Sequence, residues 1–228
     1  MDTSKTATKY EAVLFDLDGT LLDTAPDFYQ VLCEVQRRRG QEPVDFEAVR
    51  ARASDGSRPM LQLAFGETLN EQELQPLVDE FLQLYEANPV AHGTLFEGIE
   101  DLLIELEQRQ IPWGVVTNKP RHLSIKVLQA LQLHERCAVL ICPEDVALAK
   151  PSPEGLLLAC ARLELDALKC LYLGDHLRDI DAGKAAGMTT VACAFGYLKE
   201  NESAHDWQAH YLVTDSMELP NLIRTLIA

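Results

Sequence analysis

The alternation of short apolar runs with helical patterns in the second half of the chain constrains the fold most strongly. Strands are predicted at 113–117, 138–141, 170–175, 189–193 and 209–213. Helices are predicted around them at 98–109, 121–132, 153–163, 177–186 and 217–226. Because strands that alternate with helices form right-handed βαβ units, this order predicts a parallel sheet. The runs lack polar alternation, which is typical of strands covered on both faces.

The first hundred residues add one strand and a helical segment. Residues 11–16 have the apolar character of a short buried strand, whereas 24–95 show helical spacing and no convincing strand pattern. We therefore predict an α/β core with a parallel sheet flanked by helices, made of residues 1–23 and 96–228. An all-helical insert, residues 24–95, would leave this core just after the first strand.

Composition restricts the partners and the location. The chain has 228 residues and a formal net charge of -16, which argues against a general nucleic-acid surface or an anionic membrane surface. No run reaches the ~18 apolar residues of a membrane span, and no apolar signal region precedes the first strand. A cytoplasmic location is expected. The six cysteines form no metal-binding pattern and are expected to be reduced.

The stretch "VLFDLDGTLLDT", residues 13–24, ends a predicted buried strand in two carboxylates. Residues i and i+2 of an extended chain point the same way, so Asp16 and Asp18 would face one spot. Burying like charges together is costly unless a cation is present. This pair therefore indicates a functional site with a bound cation.

Other polar residues follow the ends of other predicted strands. They are Thr117, Asn118, Lys119, Asp175 and Asp179, and Lys150 precedes a proline-marked helix start in "AKPSP". In an open parallel sheet, ligands bind outside the carboxyl ends of the strands, so these groups are expected to converge. Oxygen-rich ligation by Asp16 and Asp175, without histidine or cysteine, suits Mg²⁺. Asp16 could then approach a phosphoryl group as a nucleophile while Asp18 moves protons.

Four short motifs resemble those of the haloacid dehalogenase superfamily phosphatases. They are, in order, "DLDGT" (16–20), "VVTN" (115–118), "AKPSP" (149–153) and "GDHLRD" (174–179). The resemblance covers nearly the whole chain, and implies a Rossmann-like core with the insert as a cap domain that selects the substrate. It also implies that a phosphate ester is hydrolysed through an aspartyl phosphate.

The resemblance implies roles for the acidic residues. Asp16 would be the nucleophile, and Asp18 would protonate the leaving oxygen and later deprotonate water. Mg²⁺ would be held by Asp16, the backbone carbonyl of Asp18, and Asp175. Asp179 would lie behind these ligands or bind the metal through water.

It also implies roles for the polar and basic residues. Thr117 and the Asn118 amide would hold phosphoryl oxygens, and Lys150 would balance the charge of the phosphoryl group and of Asp16. His176 stands where such proteins often have Ser, Thr or Asp. It could hydrogen-bond behind the metal ligands, but we interpret it primarily as a helix-start residue.

Within the superfamily the chain resembles the phosphoglycolate phosphatase group, and particularly the bacterial N-acetylmuramic acid 6-phosphate phosphatases. Segments such as "WGVVTNKP" (113–120) and "GDHLRDIDAG" (174–183) carry this likeness, whereas the insert matches less well. Arg58, in the loop "SDGSRP" (54–59), could pair with a substrate carboxylate, or lie in water at a helix start. Since both candidate substrates carry a carboxylate, Arg58 does not decide between them.

The expected partner is thus a small phosphorylated metabolite, with N-acetylmuramic acid 6-phosphate favoured and 2-phosphoglycolate as the alternative. A phosphosugar mutase, a dehalogenase and a non-catalytic binding protein are more distant alternatives on the same fold. Dehalogenation needs neither Asp18 nor Mg²⁺, and the intact catalytic set argues against a mere binding role. The protein would be a monomer or a homodimer.

Overall fold

A computed structural model describes residues 9–227. Its strands are β1 (Ala12–Phe15), β2 (Leu22–Asp23), β3 (Thr94–Leu95), β4 (Trp113–Val116), β5 (Val139–Ile141), β6 (Cys170–Gly174), β7 (Thr189–Cys193) and β8 (Tyr211–Val213). Its helices are α1 (Ala25–Arg37), α2 (Phe46–Arg50), α3 (Ser57–Phe65), α4 (Glu71–Ala87), α5 (Ile99–Gln108), α6 (Arg121–Ala130), α7 (Glu154–Leu163), α8 (Leu177–Ala185) and α9 (Leu219–Leu226). None of the helices described between residues 9 and 227 combines the length and the apolarity needed to cross a membrane.

Six strands form one parallel sheet in the order β5-β4-β1-β6-β7-β8. The predicted α/β fold is therefore confirmed, with helices between the strands. Strand β1 lies in the middle, paired with β4 on one side and with β6 on the other. The carboxyl ends of these three strands are consequently neighbours, and the loops that follow them share one edge of the sheet.

The central strands are buried because both faces of the sheet are covered. In β1, Val13 and Phe15 belong to one apolar cluster, and Ala12 and Leu14 belong to another. Successive side chains of a strand point to opposite faces, so an apolar run with no polar alternation fills two cores at once. The absence of polar alternation in the sequence is explained by this arrangement.

Helices α1 to α4 lie between β2 and β3, and α1 packs against the other three. Phe28 of α1 contacts two rings of α4, with ring-centroid distances of 6.2 Å to Phe81 and 5.0 Å to Tyr85. Strands β2 and β3 pair antiparallel where the helical segment leaves and returns. The sequence analysis saw no convincing strand between 24 and 95 and missed β3 at the end of that range, because a two-residue strand leaves no periodic pattern. The treatment of 24–95 as a separate cap domain stays a prediction.

A buried carboxylate ties the returning chain to the start of the helical segment. Asp27 of α1 is buried and accepts hydrogen bonds from the backbone N–H groups of Ala91 (2.9 Å), His92 (2.8 Å) and Gly93 (2.8 Å). An anionic acceptor with several N–H donors is among the stronger arrangements in proteins. The two connections between the helical segment and the sheet are thereby held side by side.

Candidate active site

A pocket of about 250 Å³ lies at the edge of the sheet formed by the ends of β1 and β4. One wall comes from the α/β part and carries Asp16, Asp18, Thr117, Asn118, Lys119 and Lys150. The opposite wall comes from the helical segment and carries Phe28, Ala53, Ser54, Asp55, Gly56, Ser57, Met60, Phe81, Leu82 and Tyr85. The structure therefore brings most of the predicted site residues into one cavity, facing an apolar surface.

Asp16 is held by a buried lysine. Lys150 Nζ lies 2.9 Å from Asp16 Oδ1 and 2.7 Å from Asp179 Oδ1, and only 3% of the Lys150 side chain is exposed. Burial alone would lower the pKa of Lys150, but the charges of Asp16 and Asp179 raise it above its usual value. Lys150 is consequently a fixed positive charge beside Asp16, and its role toward a phosphoryl group stays a prediction.

The loop that carries Lys150 is held by Asn118. The Asn118 side chain donates to the Lys150 carbonyl (3.0 Å) and accepts from the Lys150 backbone N–H (3.1 Å). Lys150 Nζ also contacts the Val116 carbonyl (3.0 Å) and the Tyr172 hydroxyl (2.8 Å). The Asn118 side chain therefore positions Lys150, a function that the sequence analysis did not foresee. Phosphate binding by the Asn118 backbone amide stays a prediction.

Asp175 is fully buried and surrounded by uncharged donors. It accepts from Ser54 Oγ at 2.8 Å, from the Tyr197 N–H at 3.0 Å and from Thr20 Oγ1 at 3.3 Å. Burial, followed by the charges of Asp179 and Asp16, raises the pKa of Asp175 to about 8. The carboxyl group thus lacks the positive neighbour that would keep it ionised at neutral pH.

The "DLDGT" glycine leaves room for this carboxyl group. Gly19 has φ of +83°, and a Cβ atom there would overlap the Asp175 carboxylate. A Cβ atom at Gly196 would overlap the Asp175 side chain as well. Both the backbone conformation and the close approach therefore require glycine at position 19. This explains the glycine of the first motif in physical terms.

Three carboxylates form a cluster that could hold a metal ion. Oxygen atoms of Asp16, Asp175 and Asp179 lie within 4.8 Å of one another. Lys150 contacts two of them, so one positive charge faces up to three negative ones. Because isolated buried charges are costly, an additional cation would stabilise the ionised cluster. The donors are all oxygen atoms, which fits a hard divalent ion. The expected contribution of the Asp18 backbone carbonyl stays a prediction.

Asp18 has a different set of neighbours from Asp16. Its carboxylate accepts from Lys119 Nζ at 3.0 and 3.1 Å and from Thr24 Oγ1 at 2.8 Å. The Lys119 ammonium also lies 4.8 Å from the ring centre of Phe28 and 4.6 Å from that of Tyr85. Burial would lower the pKa of Lys119, but Asp18 raises it above its usual value. Each of the two aspartates thus has its own buried lysine.

Lys119 is a site residue that the sequence analysis noted but did not assign. The signal was its place directly after Thr117 and Asn118 at the end of β4. Thr117 itself is 5% exposed and lines the pocket, with Oγ1 accepting from the Lys119 N–H at 3.2 Å. Thr117 is therefore placed where a pocket ligand can reach it, and its role in phosphate binding stays a prediction.

Two polar residues of the helical segment that line the pocket bond to the α/β part, and the sequence analysis missed both. Ser54 donates to Asp175, and Asp55 contacts His176 Nε2 (3.3 Å), Arg178 Nη2 (2.9 Å) and Lys199 Nζ (2.8 Å). The hydrogen bond from His176 and the charge of Lys199 lower the pKa of Asp55 despite its partial burial. The quoted loop "SDGSRP" contains both residues, but its pattern does not indicate which side chains turn inward.

His176 caps a helix, as the sequence analysis favoured. Its Nδ1 accepts from the Arg178 N–H at 3.1 Å, and the Asp179 side chain accepts from the His176 N–H at 3.1 Å. These two bonds form a capping box at the start of α8. His176 also lines the pocket, where its other nitrogen contacts Asp55.

The structure places Arg58 away from the pocket, at the helix start that the sequence analysis kept as one of two possibilities. Its guanidinium pairs with Glu71 (2.8 Å) and Gln75 (2.5 Å) of α4, its side chain is 43% exposed, and it is not among the residues that line the pocket. Arg58 is the second residue of α3, and the turn of that helix directs it toward α4. A substrate carboxylate in this pocket would therefore need another partner.

Comparison with known families gives one consistent result. The sequence-family model of the haloacid dehalogenase-like hydrolases matches residues 10–187 of this chain. The chain is 41% identical over 215 residues to an N-acetylmuramic acid 6-phosphate phosphatase of Pseudomonas aeruginosa, covering 94% of this chain and 95% of that protein. It is also 43% identical over 208 residues to a phosphoglycolate phosphatase of Xanthomonas campestris pv. campestris, covering 91% and 94% of the two chains.

A solved structure has the same fold. The crystal structure of a predicted phosphoglycolate phosphatase from Haemophilus somnus superposes with a TM-score of 0.83 at 22% identity. The match covers 95% of this chain and 99% of that one. At this level of identity the likeness bears on the architecture, and it includes the helical segment as well as the sheet.

Proposed function

The chain belongs to the haloacid dehalogenase-like hydrolase family, and we propose that it is a Mg²⁺-dependent phosphomonoester hydrolase that works through an aspartyl phosphate on Asp16. The best substrate would be N-acetylmuramic acid 6-phosphate, with 2-phosphoglycolate as the alternative. Two relatives that match over more than nine-tenths of the chain carry phosphatase names, which supports the reaction class.

The acidic cluster supports the proposed metal. Asp16, the backbone carbonyl of Asp18, and Asp175 would hold Mg²⁺, with Asp179 close behind them and paired with Lys150. When bound, the ion would neutralise the cluster and polarise a phosphoryl oxygen. An all-oxygen set of donors is the kind that Mg²⁺ prefers.

In the first step, a carboxylate oxygen of Asp16 forms a bond to phosphorus while the ester P–O bond breaks. Asp18 delivers a proton to the departing oxygen, which leaves as a free alcohol. Lys150, buried 2.9 Å from Asp16, offsets the negative charge of the nucleophile and of the phosphoryl group. The Thr117 hydroxyl and the Asn118 backbone N–H would bind phosphoryl oxygens.

In the second step, water attacks the phosphorus of the aspartyl phosphate. Asp18, now ionised, takes the proton from this water, and the bond between phosphorus and the Asp16 oxygen breaks. Inorganic phosphate leaves and the carboxylate of Asp16 is restored. The contacts of Asp18 with Lys119 and Thr24 keep its carboxylate apart from the acidic cluster, as a proton carrier requires.

One observation favours the amino-sugar ester over phosphoglycolate: part of the pocket lining is apolar. Phe28, Phe81, Leu82 and Tyr85 line this part, and the Lys119 ammonium lies over the rings of Phe28 and Tyr85. The two-carbon glycolate group offers almost no apolar surface to this part of the lining. A sugar ring with acetyl and lactyl methyl groups would cover it, and apolar burial contributes roughly 25 cal/mol per Å².

The test is a comparison of phosphate release at fixed Mg²⁺. We expect N-acetylmuramic acid 6-phosphate to give a higher kcat/KM than 2-phosphoglycolate, hexose 6-phosphates and nucleoside monophosphates. Excess EDTA should abolish activity, and Asp16→Asn should lower kcat by about 10⁴-fold or more. Activity that persists in chelator or in Asp16→Asn would contradict the mechanism. A preference for 2-phosphoglycolate would contradict the substrate.

The same assay separates the remaining alternatives. Isomerised sugar phosphate instead of free phosphate would indicate a mutase, and chloride release from 2-chloropropionate would indicate a dehalogenase. The catalytic set is intact, with Asp16, Asp18 and Lys150 in one pocket, so a non-catalytic binding protein is disfavoured. A cytoplasmic location and a monomeric or homodimeric state remain predictions from the sequence.

A further inference from the structure

We propose that Arg178, assisted by His176, forms the subsite that binds the carboxylate of the leaving group. This inference rests on the proposed function, since it assumes a carboxylated phosphate ester. It replaces the expectation for Arg58, and it places the recognition of the carboxylate on the α/β part of the molecule instead of on the helical segment.

The first argument is position. His176 and Arg178 line the same pocket as Asp16 and Asp18. They lie in the loop and first turn that run from Asp175 to Asp179, two members of the acidic cluster. A leaving group attached to a phosphoryl group at Asp16 can therefore contact Arg178 without entering a separate cavity.

The second argument is the distribution of charge in the pocket. Lys150 contacts Asp16 and Asp179, and Lys119 contacts both oxygens of Asp18. These two ammonium groups are committed to the catalytic carboxylates. A second anionic group of the substrate would therefore need positive charge from another residue. The chain as a whole has a net charge of -16 and supplies no general positive field.

The third argument is the spare hydrogen-bonding capacity of Arg178. Within residues 9–227, its guanidinium makes one side-chain contact, from Nη2 to Asp55 Oδ1. A guanidinium has five N–H donors in a planar fork that matches a carboxylate. The Asp55 carboxylate also contacts His176 and Lys199, so it is shared by two cations and an imidazole. The cluster can accept a further negative charge.

The orientation of His176 adds a neutral donor. Its Nδ1 accepts from the Arg178 N–H, which places the proton on Nε2 in the neutral ring. Nε2 lies 3.3 Å from Asp55 Oδ1 at the pocket surface. This N–H group points to Asp55, so His176 would serve an entering carboxylate beside the guanidinium fork by exchanging Asp55 for the ligand.

Asp55 links this subsite to the helical segment. It is part of the short 3-10 turn Ala53–Asp55, while its three partners belong to the α/β part. The contact holds Arg178 in place, with 23% of its side chain exposed. The guanidinium is thus pre-oriented when the helical segment lies against the sheet edge, which lowers the entropic cost of binding.

The experiment compares two sugar phosphates that differ in the carboxylate. N-acetylglucosamine 6-phosphate lacks the lactyl ether of N-acetylmuramic acid 6-phosphate, and the ratio of their kcat/KM values measures carboxylate recognition. We expect Arg178→Gln to reduce this ratio about 10- to 100-fold, mainly through KM for the carboxylated ester. Arg178→Lys should retain part of the ratio, because it keeps the charge and loses the fork. Partial unfolding of a variant would lower both kcat/KM values by the same factor and would leave their ratio unchanged.

Lys199→Ala is the matched control, since Lys199 also pairs with Asp55 but does not line the pocket. It should leave the ratio within about twofold. The inference is overturned if Arg178→Gln keeps the ratio of the unmodified protein, or if Lys199→Ala lowers it equally, which would mean that Arg178 acts through Asp55 alone. If the unmodified protein itself does not prefer the carboxylated sugar, the proposed substrate has failed, independently of Arg178.

Discussion

The two walls of the pocket are built in different ways. On the α/β wall, Asp16, Asp18 and Thr117 follow strands of one sheet, and buried lysines bond directly to the carboxylates. On the helical wall, apolar side chains of α1 and α4 dominate. Strand ends fix positions through the hydrogen-bonded sheet, whereas helices present a surface that depends on their rotation. The comparison suggests that chemistry is placed on the rigid wall and shape recognition on the other.

The two walls also differ in how they are stabilised. Lys150 has 3% of its side chain exposed and contacts four groups, including the Val116 carbonyl and the Tyr172 hydroxyl. The contacts of the helical segment with the α/β part include the ion pairs of Asp55 with Arg178 and Lys199, whose side chains are 23% and 52% exposed. Loss of a partner in the first case leaves a buried charge, while in the second case water can replace it.

The largest effect is expected from Asp18→Asn on the α/β wall. The amide cannot give or take the proton, so kcat for the sugar phosphate should fall about 10²- to 10⁴-fold. With p-nitrophenyl phosphate, whose leaving group needs no proton, the first step should survive while the second is slowed. Rapid mixing should then show a burst of nitrophenol of about one equivalent per enzyme.

The control for this burst is Asp16→Asn, which removes the nucleophile and should give none. If Asp18→Asn hydrolyses the sugar phosphate at a rate within tenfold of that of the unmodified protein, the proposed role of Asp18 is contradicted. The α/β wall would then not supply the proton transfer that the proposed mechanism requires.

A smaller effect is expected from Leu82→Ala on the helical wall. Leu82 is half-buried and lines the pocket, so its truncation removes apolar contact from a bulky leaving group. KM for N-acetylmuramic acid 6-phosphate should rise roughly fivefold, from a loss of about 1 kcal/mol, with kcat unchanged. Leu84 is also half-buried on α4 but lies outside the pocket lining, so Leu84→Ala is the matched control.

An equal change in both leucine variants would point to loosening of α4 instead of lost contact. An equal change of KM for 2-phosphoglycolate in Leu82→Ala would have the same meaning, since that substrate is too small to cover the wall. Either result would weaken the assignment of shape recognition to the helical wall.

The smallest effect is expected from Arg58→Ala. Its ion pair with Glu71 is exposed on both sides, and such surface pairs contribute little to stability because water screens them. Steady-state kinetics should give kcat/KM within about twofold for every substrate in the panel. A selective loss of activity on carboxylated esters would favour carboxylate binding by Arg58, one of the two roles that the sequence left open, and would count against Arg178.

Much of the architecture could be predicted because it depends on local pattern. The strand at residues 170–175 and the helix at 177–186 correspond closely to β6 (Cys170–Gly174) and α8 (Leu177–Ala185). The short pair β2 and β3 was missed, since two residues carry no periodicity. The α9 helix begins at Leu219 instead of 217 because a 3-10 turn, Ser216–Glu218, precedes it.

For the site, the sequence by itself determined which residues lie at one edge. The carboxyl ends of parallel strands must converge, so Asp16, Asp18 and Asp175 were expected to approach each other from their places after predicted strands. Gly19 was part of the same motif, and its positive φ and contact with Asp175 show why no larger residue fits.

Only the tertiary structure decided which partners these groups have. The family resemblance already implied Lys150 beside Asp16, but the structure alone assigned Lys119 to Asp18, and it turned Ser54 and Asp55 inward but Arg58 outward. These outcomes depend on how the helical segment is rotated and seated on the sheet edge. Periodicity encodes which face of an element is buried, but not the angle at which two segments far apart in the chain meet.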